Sequence, residues 1–545
     1  MKRTYFISAI FWLITCLLFN NSASGQTIPV GTPVFNDYYR RMQLLSNVDS
    51  NLSFSIRPIF PELKFKHNIY DPDSTLSKDS WVDAGPVSFA KGSGSFQLLP
   101  FSIQQQYNSH HPYGWNDEVM IPAKGYQTLV SGGFYVRLGL LSIQLRPQYV
   151  YAANPDFEGS SYNFPGIDLP TRFGNSQYQK LSWGQSSIRL TLGPISAGLS
   201  NENLWWGPGI KNSLILSNNA PGFKHLTLNT VRPIKTFLGH FEGQIISGRL
   251  DPSGLQTETN AFVPDPSQWR YFTGFNINYH PKWVPGLTLG IIRTFNSYNQ
   301  YVEKLSHYLP WFYPYQKASV NNADDPIPRD QLTSLYARWL FTDAKAELYF
   351  EYGVNDNSYD LRQFINRPDL ARAYQFGLRK MVSLNDPSKY ILIETEITQM
   401  SQSIDRMVDG HGNWYRHHQV LAGHTNRGEI LGAGIGPGGN SQSIDVSWIY
   451  GLKRIGVSFD RYEHDAEISN ITAVDINGNS RRWVDFAFGL QGEWNYKNLI
   501  FNAKLQHIRS LNYQWVLKDY NPSKYYIPNN DVSNLHGELG VTFRF

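Results

Sequence analysis

The chain has 545 residues, with 48 Lys and Arg against 44 Asp and Glu, a near-neutral balance that gives no support to nucleic-acid binding. Aromatic residues make up 15 % and Tyr alone numbers 33, yet beyond the opening segment no apolar run reaches the length of a membrane-spanning helix. The single cysteine, Cys16, lies in that opening segment, which leaves the rest of the chain without disulfides or Cys-based metal centres.

In chain order, Lys2 and Arg3 precede a mostly apolar stretch from Tyr5 to Phe19, and NNSASG follows at 20 to 25. Residues 1–25 therefore read as a signal peptide, with the mature chain starting at Gln26. Leu13-Ile14-Thr15-Cys16 resembles a lipoprotein box loosely, because Thr before the Cys is unusual and apolar residues continue past it. Residues 26–95 read as a periplasmic helical segment and its connection. Within PVFNDYYRRMQLLSNVDS, Tyr38, Tyr39, Met42 and Leu45 recur at helical spacing behind Asn36 as N-cap, which predicts a periplasmic helix or partial plug over 34–47. Residues 70–95, scattered with Asp, Ser, Gly and Pro, read as an irregular connection.

Residues 96–545 alternate with period 2. Strands are predicted at 96–107, 126–137, 140–151, 185–193 and 195–200, and further along at 345–352, 389–397 and 481–494. The last stretch, NLHGELGVTFRF, sets Leu535, Leu539, Val541, Phe543 and Phe545 against His536, Glu538, Thr542 and Arg544, and a closing Phe is a mark of outer-membrane barrels. Short links such as 496–498, 451–454, 342–345 and 280–285 alternate with long ones at 509–533, 463–480, 355–370, 295–331 and 250–269. Short periplasmic turns and long outer loops have this parity. An all-β transmembrane antiparallel outer-membrane barrel of about 18 strands follows. Phe486, Phe488, Phe543 and Phe545 should face lipid, and Glu493, Glu538 and Arg544 the lumen, with Lys345, Glu347, Glu351, Glu394, Glu396, Asp485 and Lys504 also lining it. A soluble sandwich or propeller also alternates, but the charged inner faces, aromatic outer faces and lack of a blade-length repeat weigh against it.

Four segments, 114–157, 202–250, 346–356 and 428–446, resemble the Wzi family of capsule-assembly outer-membrane proteins; ENLWWGPGIKNSLILSNNAPGFKHLTLNTVRPIKTFLGHFEGQIISGRL is the most specific of them. The resemblance spans nearly the whole mature chain. It implies a barrel of about 18 strands with a periplasmic helical segment, integral to the outer membrane of a Gram-negative cell. It also implies a lectin-like, non-enzymatic role in holding capsular or extracellular polysaccharide at the surface, with the polysaccharide export machinery as a further partner. No catalytic residues come with it.

By the parity of the strands, the loop NENLWWGPGIKNS at 201–213 lies outside or folds into the outer mouth. There Trp205 and Trp206 can stack on sugar rings, Glu202, Asn203 and Asn212 can bond hydroxyls, and Gly207-Pro208-Gly209 would fix the turn. The alternative is that the tryptophans belong to the interfacial belt or brace the loop from inside. HYLPWFYPYQ at 307–316 adds Trp311 and Tyr313 to the candidate glycan-binding residues. Enzyme readings find little footing. His417, His418 and His424 near Thr425 resemble outer-membrane phospholipase elements but lack its serine, and no acid or Cys stands at metal-ligand spacing beside them. Glu394 and Glu396 share a lumen face about 7 Å apart, near glycosidase separation, but charge lining accounts for them. GAGIGPGG lacks the Lys-Ser/Thr of a phosphate loop. No cofactor or metal is expected. The competing function is a passive or selective porin, whose mixed lumen charge would serve equally well.

Overall fold

A computed structural model describes residues 27–60, 68–76, 87–158, 166–255, 267–312, 327–355, 361–366, 371–402, 414–467, 482–515, 523–524, 526–528 and 530–545. Residues 1–25, read above as a signal peptide, and Tyr313 lie outside the described residues. Among the described residues, eighteen antiparallel wall strands close into one barrel, the last, Val532–Phe543, pairing back onto the first, Gly94–Asn108, from His536↔Asn108 to Phe543↔Phe101.

Alternation explains the wall. Along Val484–Tyr496, Phe488 and Leu490 are 59 % and 62 % exposed while Asp485 between the same turns is 1 % exposed. Rows of exposed Leu, Ile, Phe and Trp repeat on every side of the cylinder, a surface that water would not tolerate and a bilayer requires. Closure leaves no unpaired strand edge against lipid along these ladders. The expected faces hold: Phe486 and Phe488 lie on the outer face, and Glu493 and Glu538 line the interior cavity. The buried Arg544 donates to Tyr70 O (3.1 Å), which belongs to the N-terminal segment inside.

Two-residue turns at 139–140, 193–194, 451–452 and 497–498 all fall at one end of the barrel. Gly193 and Gly451 supply the positive φ, +58° each, that such tight hairpins need. The long connections all leave the other end, as the parity argument required. Some boundaries differ from expectation. The strand read at 140–151 is broken into Leu141–Leu145 and Gln148–Ala152, because Pro147 cannot donate to the ladder. The strand read at 185–193 extends upstream as Tyr178–Ser182 and Ser187–Leu192. Lys345 stands in the 342–345 turn with φ 48° and does not line the wall. The connection before the wall includes a short strand, Val87–Phe89, folded back onto Gly94–Phe96.

The N-terminal helix, α1, spans Pro33–Leu44. It starts earlier than expected: Pro33 occupies the first turn, where its missing N–H costs nothing, and Thr32 precedes it. Asn36 is therefore inside the helix, not its cap, and its Nδ2 donates back to Pro29 O (3.0 Å) and Val30 O (3.2 Å). Helix α1 lies across the short-turn mouth. Arg41 Nη1 donates to Gly451 O in a short turn (3.0 Å), and Tyr38, Tyr39 and Phe35 pack with Leu452 and Ile500.

Candidate functional site

Six residues of strand rise about 20 Å, well short of the neighbouring walls, so Ile195–Ser200 and His225–Thr230 release their connecting loop within the height of the barrel. Residues 201–224 fold inward, not up. Of the two expected locations, outside the barrel or folded into its outer mouth, the loop takes the inward one and runs deeper than the mouth, which explains the Trp pair. Trp205 and Trp206 form a two-residue ladder with Arg57 and Ile56 of the N-terminal segment, which enters from the opposite end. The Arg57 guanidinium lies 4.4 Å over the Trp205 ring, and Trp206 Nε1 donates to Gln244 Oε1 on the wall (2.8 Å). Both rings are covered by protein, at 3 % and 0 % exposure.

The polar neighbours of the pair serve the same end. Glu202, fully buried, takes Arg189 Nη2 at 2.8 Å, Thr27 Oγ1 at 2.6 Å and Ser200 Oγ at 3.0 Å. Burial disfavours its charge, but Arg189 and these hydrogen bonds hold the carboxyl below the usual range. Asn203 donates to Ala220 O (2.7 Å) and closes the loop on itself. In Gly207-Pro208-Gly209, Gly207 adopts φ +122°, and a Cβ on Gly209 would lie 1.9 Å from Asn212 O. The carbonyls of Pro208 and Gly209 accept from Arg40 Nη2 (2.7 Å) of α1 and Arg57 Nη2 (2.8 Å). The next turn wraps a wall carboxylate. Ile210, Lys211 and Asn212 point three consecutive N–H groups at Glu396, at 2.7, 3.1 and 2.8 Å. Glu394 beside it is paired with Arg379 and Arg454, each at 2.6 Å, so the two carboxylates are structural.

A second inward loop, 414–439, completes the plug. Tyr415 Oη donates to Leu214 O (2.7 Å), and His424 stacks on Tyr415 with its Nε2 2.8 Å from Ile215 O. Burial pushes His424 down to about 4, so it is neutral at physiological pH. His417 Nδ1 accepts from Val420 N at 2.9 Å, capping a turn. Leu204, Trp206, Leu214, Ile215, Trp414, Tyr415, Ile430 and Leu431 form one apolar core with wall residues such as Phe272 and Leu332. Beneath it, Asp37 of α1 bridges Arg41 and Arg379, and Glu347 bridges Arg40 and Arg338.

Among the described residues, two cavities near the lumen axis stand out. One, of about 380 Å³, lies between α1, the plug and the wall, and carries charges of both signs, including Arg57, Lys211, Glu493 and Glu538. The other, of about 230 Å³, lies at the outer mouth. Six outer connections, the two plug loops among them, converge on it. Trp115 and Asp117 come from 109–124, Glu429 from 400–439, His464 and Trp483 from 464–483, and Trp515 from 512–531. His464 stacks face to face on Trp483 at 3.4 Å, Trp483 meets Trp515 edge-on at 5.2 Å, and Trp115 meets Tyr462 at 5.6 Å. Trp483 Nε1 and His464 Nε2 are both tied to Asp485, at 2.9 and 2.7 Å.

Of the seven residues singled out from sequence, Glu202, Asn203, Trp205, Trp206 and Asn212 are thus brought together inside the barrel. Trp311 is apart from them, on a loop folded along the outer side of the wall, where its Nε1 donates to Thr273 Oγ1 (3.1 Å) beside the 93 %-exposed Phe312. Sequence reasoning missed Trp115, Asp117, Glu429, His464, Trp483 and Trp515, which sit up to 400 residues apart and share no local pattern. Among the described residues no group of three or more His, Cys, Asp or Glu side chains could hold a metal ion.

Comparison with known proteins bears on this arrangement. A family model described as capsule assembly protein Wzi matches residues 121–510. The solved structure of Wzi from Escherichia coli, an outer membrane protein involved in group 1 capsule assembly and described as a carbohydrate-binding β-barrel, is 12 % identical. It aligns over 96 % of this chain and 100 % of that one, with a TM-score of 0.57. OccAB2 of Acinetobacter baumannii is 10 % identical over 82 % of this chain and 98 % of its own, with a TM-score of 0.40. OprD of Pseudomonas aeruginosa is 8 % identical over 84 % and 97 %, with a TM-score of 0.39. No curated protein matches the chain.

Proposed function

Because the chain belongs to the Wzi family of capsule assembly proteins, we propose that it holds secreted capsular or extracellular polysaccharide on the outer surface of the cell, without catalysis. The family match over 121–510 carries this reading. The filled lumen supports it over the porin alternative. A channel needs a continuous aqueous path, whereas here two inward loops fill the bore with one apolar core, α1 packs in a second, and Arg40 of α1 binds both the Pro208 carbonyl and Glu347 of the wall. In the same reading, Glu202, Asn203, Trp205, Trp206 and Asn212 keep the plug in place and sugar contact belongs to the outer loops, Trp311 among them. Helix α1 is itself mostly buried, so the turn after it on the periplasmic side, where Ser46, Asn47, Asp49 and Ser50 are exposed, is the surface available to export machinery.

A deletion strain stained for cell-bound against shed polysaccharide tests the role. Shedding with normal total synthesis is the expected result, and unchanged retention would defeat it. Purified protein in planar bilayers tests the alternative, because large steady openings would favour a porin.

A further inference from the structure

We propose that the pocket at the outer mouth seats one sugar residue of the polysaccharide, and that the residue it takes carries no carboxylate: a neutral or amino-bearing sugar, not a uronic acid. This rests on the polysaccharide-holding reading and names the site and sugar class for it.

The walls of the pocket are built before any ligand arrives. Trp483 is fixed by its bond to Asp485, by His464 on one face and by the edge of Trp515, and Trp115 is set against Tyr462. Trp115, Trp483 and His464 are half-buried, so part of each remains open to the mouth. Rigid aromatic surfaces lose little conformational freedom on binding and offer apolar faces to the C–H faces of a sugar ring. A cavity of about 230 Å³ suits a single unit of a chain.

The polar element is Glu429. It sits on a two-residue hairpin, Thr425–Asn426 with Glu429–Ile430, turned by Arg427 (φ 54°) and Gly428 (φ 85°). Ile430 joins the plug core at the floor of the pocket, and Glu429 beside it lines the pocket. Its side chain is 5 % exposed, and Oε1 is buried with no hydrogen-bond partner among the described residues. Burial, together with nearby Asp117, raises its carboxyl well above the usual range, so at neutral pH it can both donate and accept. A buried polar atom left unbonded is costly, and a ligand hydroxyl or N–H would satisfy it. The charged surroundings decide the class. Asp117 and Asp465 share the lining; Asp465 is paired with Arg416, and Lys180 lies within electrostatic range of Glu429. A uronate would add a further carboxylate to this buried acidic set, whereas a hydroxyl or ammonium is drawn to it.

The test uses the purified full-length barrel and the polysaccharide shed by the deletion strain, with affinity read by calorimetry. Trp115→Ala and Glu429→Ala should each weaken binding about tenfold, with unchanged heat-modifiable migration as the check on folding. Glu429→Gln, which keeps the shape, serves where the alanine variants assemble poorly. At least one member of a panel of neutral and amino hexoses should displace the bound polysaccharide, and glucuronate and galacturonate should not. Displacement by the uronates as effective as by any neutral sugar, failure of every panel member to displace, or wild-type affinity in both pocket variants would overturn the proposal. A deletion strain that keeps its polysaccharide defeats the holding role itself. A deletion strain that sheds it, with pocket variants that retain it, defeats the pocket alone.

Discussion

Trp206→Ala separates bracing from sugar stacking most sharply. The indole is fully buried in the plug core, bonded to Gln244 on the wall and laddered with Ile56. Truncating a buried Trp costs about 3 to 5 kcal/mol where the surroundings cannot collapse. The barrel wall is not part of that loss, because Gln244 keeps its place in the strand Gly239–Leu250 and its bond to Thr227 Oγ1 (3.0 Å). The cost therefore falls on the plug. At 1.4 kcal/mol per tenfold, the population with residues 201–224 displaced should rise by about 10² to 4 × 10³-fold. Heat-modifiable migration should report a normal barrel, while planar-bilayer recordings should show brief openings absent from the parent protein. Polysaccharide retention per folded molecule should be little changed. A variant that stays electrically silent and folded yet loses polysaccharide would refute this reasoning and return the Trp pair to the binding surface.

Glu396→Gln removes the charge that three consecutive N–H groups address, and should weaken the plug by about 2 kcal/mol, the scale of a charge-assisted hydrogen bond, measured as faster proteolysis near Lys211. Gly209→Ala places a Cβ against the backbone oxygen of Asn212, so it should lower the yield of protease-resistant plug more than Gly492→Ala, where the nearest atom to the Cβ is Arg454 O at 3.8 Å. Asp37 gives a pH test. Burial opposes its ionisation, but Arg41, Arg379 and Arg454 hold its carboxyl well below the usual range, so its contribution to docking α1 is full above about pH 4, the unfolded carboxylate value, and is lost as acid is added below that. Limited proteolysis of α1 should stay slow from neutral pH to about pH 4 and accelerate below it; acceleration on moving toward alkaline pH instead would contradict the sign.

The parts that were legible in the sequence depend on nearest neighbours. Alternation in Val484–Tyr496 or Ala346–Asn355 is a property of the strand itself, and short against long connections register which end of the barrel a turn occupies. Helix α1 was legible by spacing, although its first residue was not, since Pro33 and Asn36 both suit a helix start and the bonds Asn36 makes back to Pro29 and Val30 decide between them. The burial of Trp205 and Trp206 depends on Arg57 and Gln244, one 148 residues before Trp205 and the other 38 after Trp206. A Trp pair beside Gly-Pro-Gly looks the same locally whether it meets sugar or protein. The mouth pocket is less legible still, because closing the barrel is what brings Trp115, Glu429 and Trp483 together.

The low stretch of wall at Ile195–Ser200 and His225–Thr230 also has a mechanical consequence. The loop it releases runs from Asn219, at the outer pocket, down to Gly209, which is gripped by Arg40 of the helix at the opposite end. A single short segment therefore joins the two sides of the bilayer along the bore. In the proposed holding role, drag on a coat at the outer loops would send part of its tension along this tether, while the cylinder around it would take the remainder in shear across many hydrogen bonds at once. A surface anchor has reason to be built this way, and an open tube has no comparable strut to share the force.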